Sequence, residues 1–449
     1  MAVVVDGAGR AFIADSANQR IRMLTPSDSC PATVRLGSLQ FEASGGSLSV
    51  VITTSASCQW SIAGLPQWIT APETAAGSGS ATITVIVAQN FGPPRTGTFS
   101  VAGNSITVSQ AGATYTVSGH VTLAGQPLPG VYMGLSNQVT GRIYGRVTDT
   151  DGSYSIAFPA ATSVYFLSAG LSGYSFLTAQ GNGLLLPTAE VIPVGNQTAD
   201  FTAWVNPRIT GIGAAFPTAI QLEQTTFAPG EIVSIYGASL CDDQESAGVP
   251  LPNALGGCAV WMDSVKLPLY YSSPGQVNAV LPQMAAVGPH SLFVWRYTDA
   301  TNLRLAAQSE GMPLPIAPVS MDFVERSDGG TTALAVQFQD GTFAGDDRPV
   351  RPGDVVTLYL TGLGVKSPAP PDGTAAGVPS AAIQQPQILV EGSAAGILYA
   401  GAQPDYPGLD EIVLRLPQYS LPANKKTATF VINAPSGAQS VTYEVRAVS

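Results

Sequence analysis

One ten-residue phrase occurs twice in the C-terminal half of this chain, and it constrains the fold more than any other feature. Phe227-Ala-Pro-Gly-Glu-Ile-Val-Ser-Ile-Tyr236 returns as Val350-Arg-Pro-Gly-Asp-Val-Val-Thr-Leu-Tyr359, 123 residues later. The echo continues through Leu267-Pro-Leu-Tyr-Tyr271 and Gln276-Val-Asn-Ala-Val-Leu-Pro282. Their counterparts are Gly396-Ile-Leu-Tyr399 and Asp410-Glu-Ile-Val-Leu-Arg-Leu-Pro417. This spacing exceeds the roughly 20–50 residues of a solenoid unit, so it reads as a duplicated domain. The C-terminal region is therefore expected to be two similar β modules, 208–318 and 319–449. A duplication of this kind points away from a single catalytic centre.

A chain of 449 residues leaves room for several further modules. Its 48 glycines and 35 prolines suit short strands joined by tight turns and oppose long helices. No stretch keeps apolar residues at helical spacing over three turns, so the fold class is all-β. A net charge of −11 with only four lysines (Lys266, Lys366, Lys425 and Lys426) offers no basic stripe, and nucleic acid is excluded as a partner. No apolar run reaches the roughly 18 residues of a membrane span. Met1-Ala-Val-Val-Val-Asp6 has no basic leader region, so a signal peptide is absent; the expectation is a truncated N-terminus.

The four cysteines fall into two local pairs, Cys30/Cys58 and Cys241/Cys258, neither with the spacing of a zinc site. They are either four buried thiols or two disulfides, and the disulfide reading implies an oxidising compartment outside the cytoplasm. The expected location is extracellular or at the cell surface.

Residues 1–26 hold Val3-Val-Val-Asp-Gly-Ala-Gly-Arg-Ala-Phe-Ile-Ala-Asp-Ser-Ala-Asn-Gln-Arg-Ile-Arg22, two short strands around an Asp-Gly-Ala-Gly turn with a second turn at Asp15–Asn18. This resembles one NHL repeat, the blade unit of a β-propeller, which implies a partial propeller blade. One blade cannot bury its own faces. In 30–112, four strands alternate apolar and polar residues: 47–53, 81–87, 97–101 and 105–109. The order Cys58-Gln-Trp60, Trp68-Ile69, Asn90, Arg95-Thr-Gly97 and Val108-Ser-Gln-Ala-Gly112 resembles the BACON domain, an immunoglobulin-like sandwich. That resemblance implies a binding role toward carbohydrate. Trp60 and Trp68 are then a candidate sugar-stacking platform, against the plainer reading that both fill a sandwich core.

Residues 114–204 contain Tyr115-Thr-Val-Ser-Gly-His-Val-Thr-Leu123, Gly125-Gln-Pro-Leu-Pro-Gly-Val131 and Thr148-Asp-Thr-Asp-Gly-Ser-Tyr154. These resemble the carboxypeptidase-regulatory or Cna-B-like sandwich. The segment has no lysine, so the Lys–Asn crosslink of some relatives is excluded. Asp149-Thr-Asp-Gly152 departs from an EF-hand loop and reads as a hairpin turn. From about Ile209 to Ser449 the duplicated motifs, with Leu251-Pro-x-x-Leu-Gly-Gly257 and Leu358-Tyr-Leu-Thr-Gly-Leu-Gly364, resemble an uncharacterised C-terminal domain of secreted acidobacterial proteins. That resemblance implies architecture and no activity.

Chemistry is sparse. His120 sits on the polar face of a strand and His290 follows Gly288-Pro289 at a strand start, so neither reads as a general base. No nucleophile elbow, metalloprotease helix, phosphate loop or dinucleotide fingerprint occurs. Carboxylates stand mainly in turns, at Asp242-Asp243-Gln-Glu245, Asp346-Asp347, Asp405 and Asp410-Glu411. The first of these is a calcium candidate set against a solvated loop. No catalytic residue, metal site or cofactor is assigned. Tyr270 and Tyr271, beside Trp261, and Trp295 with Tyr297 are the second aromatic candidates. Alternation along a strand should bury one tyrosine of the pair and expose the other.

The expected molecule is thus a row of immunoglobulin-like β-sandwich modules behind a partial propeller blade, non-catalytic and outside the cell. Its first expected role is carbohydrate binding through Trp60, Trp68, Tyr270 and Tyr271. The alternative is a structural or protein–protein adhesion module indifferent to sugar, and an enzyme accessory subunit ranks third. The partner is a polysaccharide or a surface protein; oligomeric state is open.

Overall fold

The computed structural model of the protein describes residues 2–7, 10–15, 17–24, 30–71, 75–180, 184–215, 225–298, 304–328, 331–435, 437 and 439–448. All of its regular structure is β-strand. The chain divides into two compact units. One comprises Met1–Val121, Pro127–Ala169 and Thr178–Phe201, and the other Thr122–Gln126, Gly170–Leu177 and Thr202–Ser449. The division passes through the 114–204 segment.

Strands Ala2–Val5, Ala11–Asp15 and Arg20–Leu24 form a three-stranded antiparallel meander and no closed propeller blade. Val3, Val4, Val5, Ile21, Met23 and Leu24 are all more than half exposed, so this sheet has no covered face on which a blade could pack. Met1, Ala8, Gly9, Ser16 and residues 25–26 of that reading lie outside the described residues.

Residues 33–110 form two facing sheets. One runs in the order Thr33–Leu36, Gly46–Thr53, Ala81–Val87, Ile69–Thr70. The other runs Gln40–Phe41, Asn104–Gln110, Arg95–Val101, Gln59–Ala63, Ala76–Ser78. Strict alternation builds the core: Leu48, Val50 and Ile52 point in from one strand, Ile83, Val85 and Val87 from its partner, and Phe99, Val101, Ile106 and Val108 from the opposite sheet. Cys30 and Cys58 are disulfide-bonded, with Cα atoms 5.4 Å apart. Farther on, Thr114–Leu123 pairs with Ser153–Pro159. Near them, Ile143–Val147, Tyr132–Asn137, Tyr165–Gly170 and Thr188–Val191 make a four-stranded sheet. The Asp149–Gly152 segment is a hairpin turn, with the Gly152 N–H on the Asp149 carbonyl (2.9 Å) and the Ser153 N–H on Asp151 Oδ1 (3.0 Å).

The second unit carries the duplication, and strand order repeats with it. In the first copy a sheet runs Arg208–Ala214, Ile232–Ala238, Gln276–Val280, Leu269–Ser272, Glu245–Ser246. In the second, the matching sheet runs Asp322–Phe323, Val355–Thr361, Asp410–Arg415, Gly396–Ala402, Ala381–Ala382, Lys366–Ser367. Register repeats too. Ile232 opposes Val280 and Ile235 opposes Val277, as Val355 opposes Arg415 and Leu358 opposes Ile412. Even the β-bulge recurs, between Leu269 and Tyr271 and between Ile397 and Tyr399. Facing sheets close each core: Val233, Ile235, Val260, Leu292 and Val294 in the first copy, Val356, Leu358, Ile388, Phe430 and Tyr443 in the second.

The repeated Pro-Gly-acid phrase has a local cause. Glu231 Oε2 accepts the Ala228 N–H (2.6 Å), and Asp354 Oδ2 accepts the Arg351 N–H (2.8 Å). In both copies the carboxylate ties a turn into which the next strand feeds. These two acids of the repeated phrase are turn locks. Cys241 and Cys258 are disulfide-bonded, with Cα atoms 5.0 Å apart.

Candidate functional site

The sequence candidates divide between core and junction. Trp60 is 6% exposed, and its indole N–H donates to the Gly79 carbonyl (2.8 Å). Its ring lies on Gly77, where an added Cβ would come within 2.5 Å of the ring, so the small residue makes room for the indole. Trp68 is partly buried against the same core, with the Arg95 guanidinium 4.5 Å from its ring centre. Both side chains pack against this one core, and Trp60 offers almost no exposed ring face. Trp261 and Trp295 stack on each other at 4.5 Å, with Lys266 Nζ 5.1 Å from the Trp261 ring, while Tyr297 is buried. His120 is exposed and its backbone N–H meets Asp200 Oδ1 (2.8 Å). His290 lies within the strand Gly288–Tyr297, its ring bonded to Asp263.

Tyr270 and Tyr271 are both half-buried, departing from simple alternation because the bulge between Leu269 and Tyr271 displaces Tyr270. Tyr270 leads to a surface groove. Its hydroxyl donates to the Pro407 carbonyl (2.8 Å) in the second copy, and burial pushes the phenol pKa upward. It lines a groove of about 290 Å³ with Ala215, Ile232, Asn278, Tyr406 and Leu409. Tyr406 and Leu409 also line a wider groove of about 600 Å³, with Glu325, Arg326, Gln337, Phe343 and Tyr359.

A loop unique to the second copy builds this region. Four residues separate the paired Ser272 and Val277, whereas eleven separate the equivalent Ala400 and Ile412. The longer connection is shaped by Gln403, whose Oε1 accepts the N–H groups of Asp405 (2.7 Å) and Tyr406 (2.8 Å). Tyr406 is thereby held 55% exposed, while Pro407 and Gly408 are buried. Below the loop lies a seam between the copies. Ile232 N–H donates to Thr361 Oγ1 (2.8 Å), and that hydroxyl donates to the Gly408 carbonyl (2.8 Å). Ile232, Leu251 and Val280 pack there with Leu409. Farther along, Leu251 N–H reaches the Gly373 carbonyl (2.8 Å), and Gln283 N–H reaches Asp372 Oδ1 (2.9 Å).

Beside the seam, Lys366 Nζ and Asp410 Oδ1 form a wholly buried ion pair at 2.8 Å. Asp410 Oδ2 also accepts the Leu363 N–H (2.9 Å). Burial pushes the Asp410 carboxyl upward and Lys366 opposes it.

In the groove wall, the Tyr359 hydroxyl donates to Gln337 Oε1 (2.8 Å), and burial raises its pKa, with Glu411 adding to the rise. Burial likewise raises the Glu325 carboxyl, with the Tyr443 hydroxyl opposing. The Arg326 guanidinium rests 5.3 Å from the Phe343 ring centre. Sequence reasoning missed this set. Tyr359 was visible as the last residue of the repeated phrase, equivalent to Tyr236, but nothing local marks Phe343 or Tyr406 as its neighbours. Among the described residues no three His, Cys, Asp or Glu side chains are grouped to hold a metal ion. No catalytic constellation joins the groove's acids, and among the described residues no helix is long and apolar enough to cross a membrane.

No curated protein matches the chain. Among solved structures, the Bacillus anthracis TIE protein aligns at 10% identity over 95% of this chain and 74% of its own, with a TM-score of 0.27. BcpA, the major pilin subunit of Bacillus cereus, aligns at 10% identity over 74% of this chain and 95% of its own, with a TM-score of 0.19. The group B streptococcus pilus 2b backbone protein aligns at 14% identity over 38% of this chain and 97% of its own, with a TM-score of 0.18. TM-scores of this size establish no shared arrangement. The BACON family, described as "Putative binding domain, N-terminal", matches residues 59–111.

Proposed function

We propose that the chain is a non-catalytic structural and adhesion scaffold that works outside the cell. The observation that carries this reading is the seam between the duplicated sandwiches. Buried hydrogen bonds, the Ile232–Leu251–Val280 cluster and the docked Gly373 segment join two small cores into one larger body. Such a body suits holding a surface at a fixed attitude, and it contains no assembled set of reacting groups. The two disulfides fit an oxidising exterior.

Adhesion under flow tests the proposal. Beads carrying the oxidised full-length chain are passed over surfaces coated with extracellular matrix or bacterial surface proteins. Retention that persists when soluble oligosaccharide is added supports protein adhesion. Absence of retention, with circular dichroism showing an intact β fold, overturns it.

A further inference from the structure

We propose that the groove around Tyr406, which lies on the second copy and reaches the first through Tyr270 and Asn278, is a binding site for an uncharged oligosaccharide, with one sugar ring stacked on Tyr406. Four observations converge on that ligand class, and none depends on the scaffold reading.

The first is size and lining. A groove of about 600 Å³, sharing Tyr406 and Leu409 with one of about 290 Å³, falls in the range of small-ligand sites, and its walls are mainly apolar with a few polar groups. The second is ring presentation. Tyr406 is 55% exposed and Phe343 37% exposed, although both belong to large side chains that gain by burial. A sugar offers a C–H face to an aromatic ring and hydroxyls to the groups around it.

The third is the supply of hydrogen-bonding atoms. Asn278 accepts from Ser234 (3.1 Å) and Gln276 (2.8 Å) through Oδ1, which leaves its Nδ2 for a ligand. The Arg326 guanidinium makes no ion pair among the described residues. By contrast, the backbone donors in the walls are engaged. Val324 N–H bonds to the Tyr359 carbonyl (2.8 Å), Ala335 N–H to the Val324 carbonyl (3.0 Å), and Leu409 N–H to the Tyr406 carbonyl (3.1 Å). Tyr406 N–H is held by Gln403. An extended peptide added as a strand would find no matching row of main-chain groups, whereas a sugar uses side-chain partners. The fourth is charge. Arg326 stands beside Glu325 on a chain of net charge −11, which disfavours a phosphorylated or sulfated ligand.

The test uses the oxidised full-length protein with neutral gluco-, manno-, galacto- and xylo-oligosaccharides of three to five sugars. Saturation-transfer NMR identifies the bound sugar and calorimetry measures its affinity. Tyr406→Ala should weaken binding about tenfold or more, and Arg326→Ala should also weaken it. Tyr132→Ala, which removes an exposed ring in the other unit, should leave it unchanged. The proposal is overturned if no neutral sugar binds at millimolar concentration, or if Tyr406→Ala binds as the unaltered protein does. Saturation by an uncharged peptide but by no sugar would also overturn it. Each of these results leaves bead adhesion to protein surfaces as a separate finding.

Discussion

Gly408 shows how much of the second unit rests on single positions. Its φ is +81°, and an added Cβ would lie 2.7 Å from Ile232 Cγ1 and 2.9 Å from Val280 Cγ1. Its carbonyl also receives the Thr361 hydroxyl. Gly408→Ala therefore combines a left-handed backbone penalty of about 1–2 kcal/mol with displacement of two core side chains. The expected total is a loss of about 2–4 kcal/mol in denaturant unfolding. A loss below about 0.5 kcal/mol would mean that the loop yields without disturbing the seam. Trp60 illustrates the opposite case at this scale. Its identity suggests a ligand platform, but the Gly79 carbonyl and the Gly77 floor assign it to packing.

At the scale of strands and turns, the sequence states alternation well and irregularity poorly. The inward residues of 47–53 and 81–87, and the equivalence of Ile232–Ala238 with Val355–Thr361, follow from period-two patterning and the repeated phrase. The bulge beside Tyr270 does not, because one extra residue breaks the period without any change in residue type. Nor does the long Ala400–Ile412 connection, whose shape depends on Gln403 reaching back to its own loop. Most of the groove escaped notice for that reason: it joins residues from several distant stretches.

One turn also sets a pH dependence. Asp263, in the turn between Cys258–Met262 and Val265–Lys266, accepts the Ser291 N–H through Oδ1 (2.9 Å) and meets His290 Nδ1 through Oδ2 (2.7 Å). His290 Nε2 lies 2.8 Å from the Ala286 carbonyl. With an acceptor at each ring nitrogen, the imidazolium is favoured. The Asp263 bond and then the Ala286 carbonyl raise the His290 pKa, while the His290 bond lowers that of Asp263. A raised histidine adds stability that is complete below its unfolded value of about 6.5 and disappears as pH rises through the folded value. Solvent at the half-exposed Asp263 keeps the effect to about 1 kcal/mol or less. Urea midpoints from pH 5.5 to 8.5 should therefore fall more for the unaltered chain than for His290→Gln; parallel profiles would remove the pair from the stability account.

Across the whole molecule the two disulfides differ in access. Cys30 is exposed, whereas Cys241 and Cys258 are 2% and 0% exposed. Under native conditions a dithiol should open Cys30–Cys58 first and reach Cys241–Cys258 only after the first copy unfolds. Timed alkylation with mass spectrometry gives the order, and simultaneous opening would contradict burial as the controlling factor. The extended connection described between Ala400 and Ile412 has a broader consequence. Duplication ordinarily leaves two interchangeable copies, but only the downstream copy carries Tyr406, Pro407 and Gly408, and only the upstream copy presents Ile232 and Val280 to receive them. The pair therefore has a sense of direction, like a plug and its socket. A third identical copy placed downstream would meet, at the positions equivalent to Ile232 and Val280, Val355 and Arg415, which put a charged side chain where the first copy offers an apolar one.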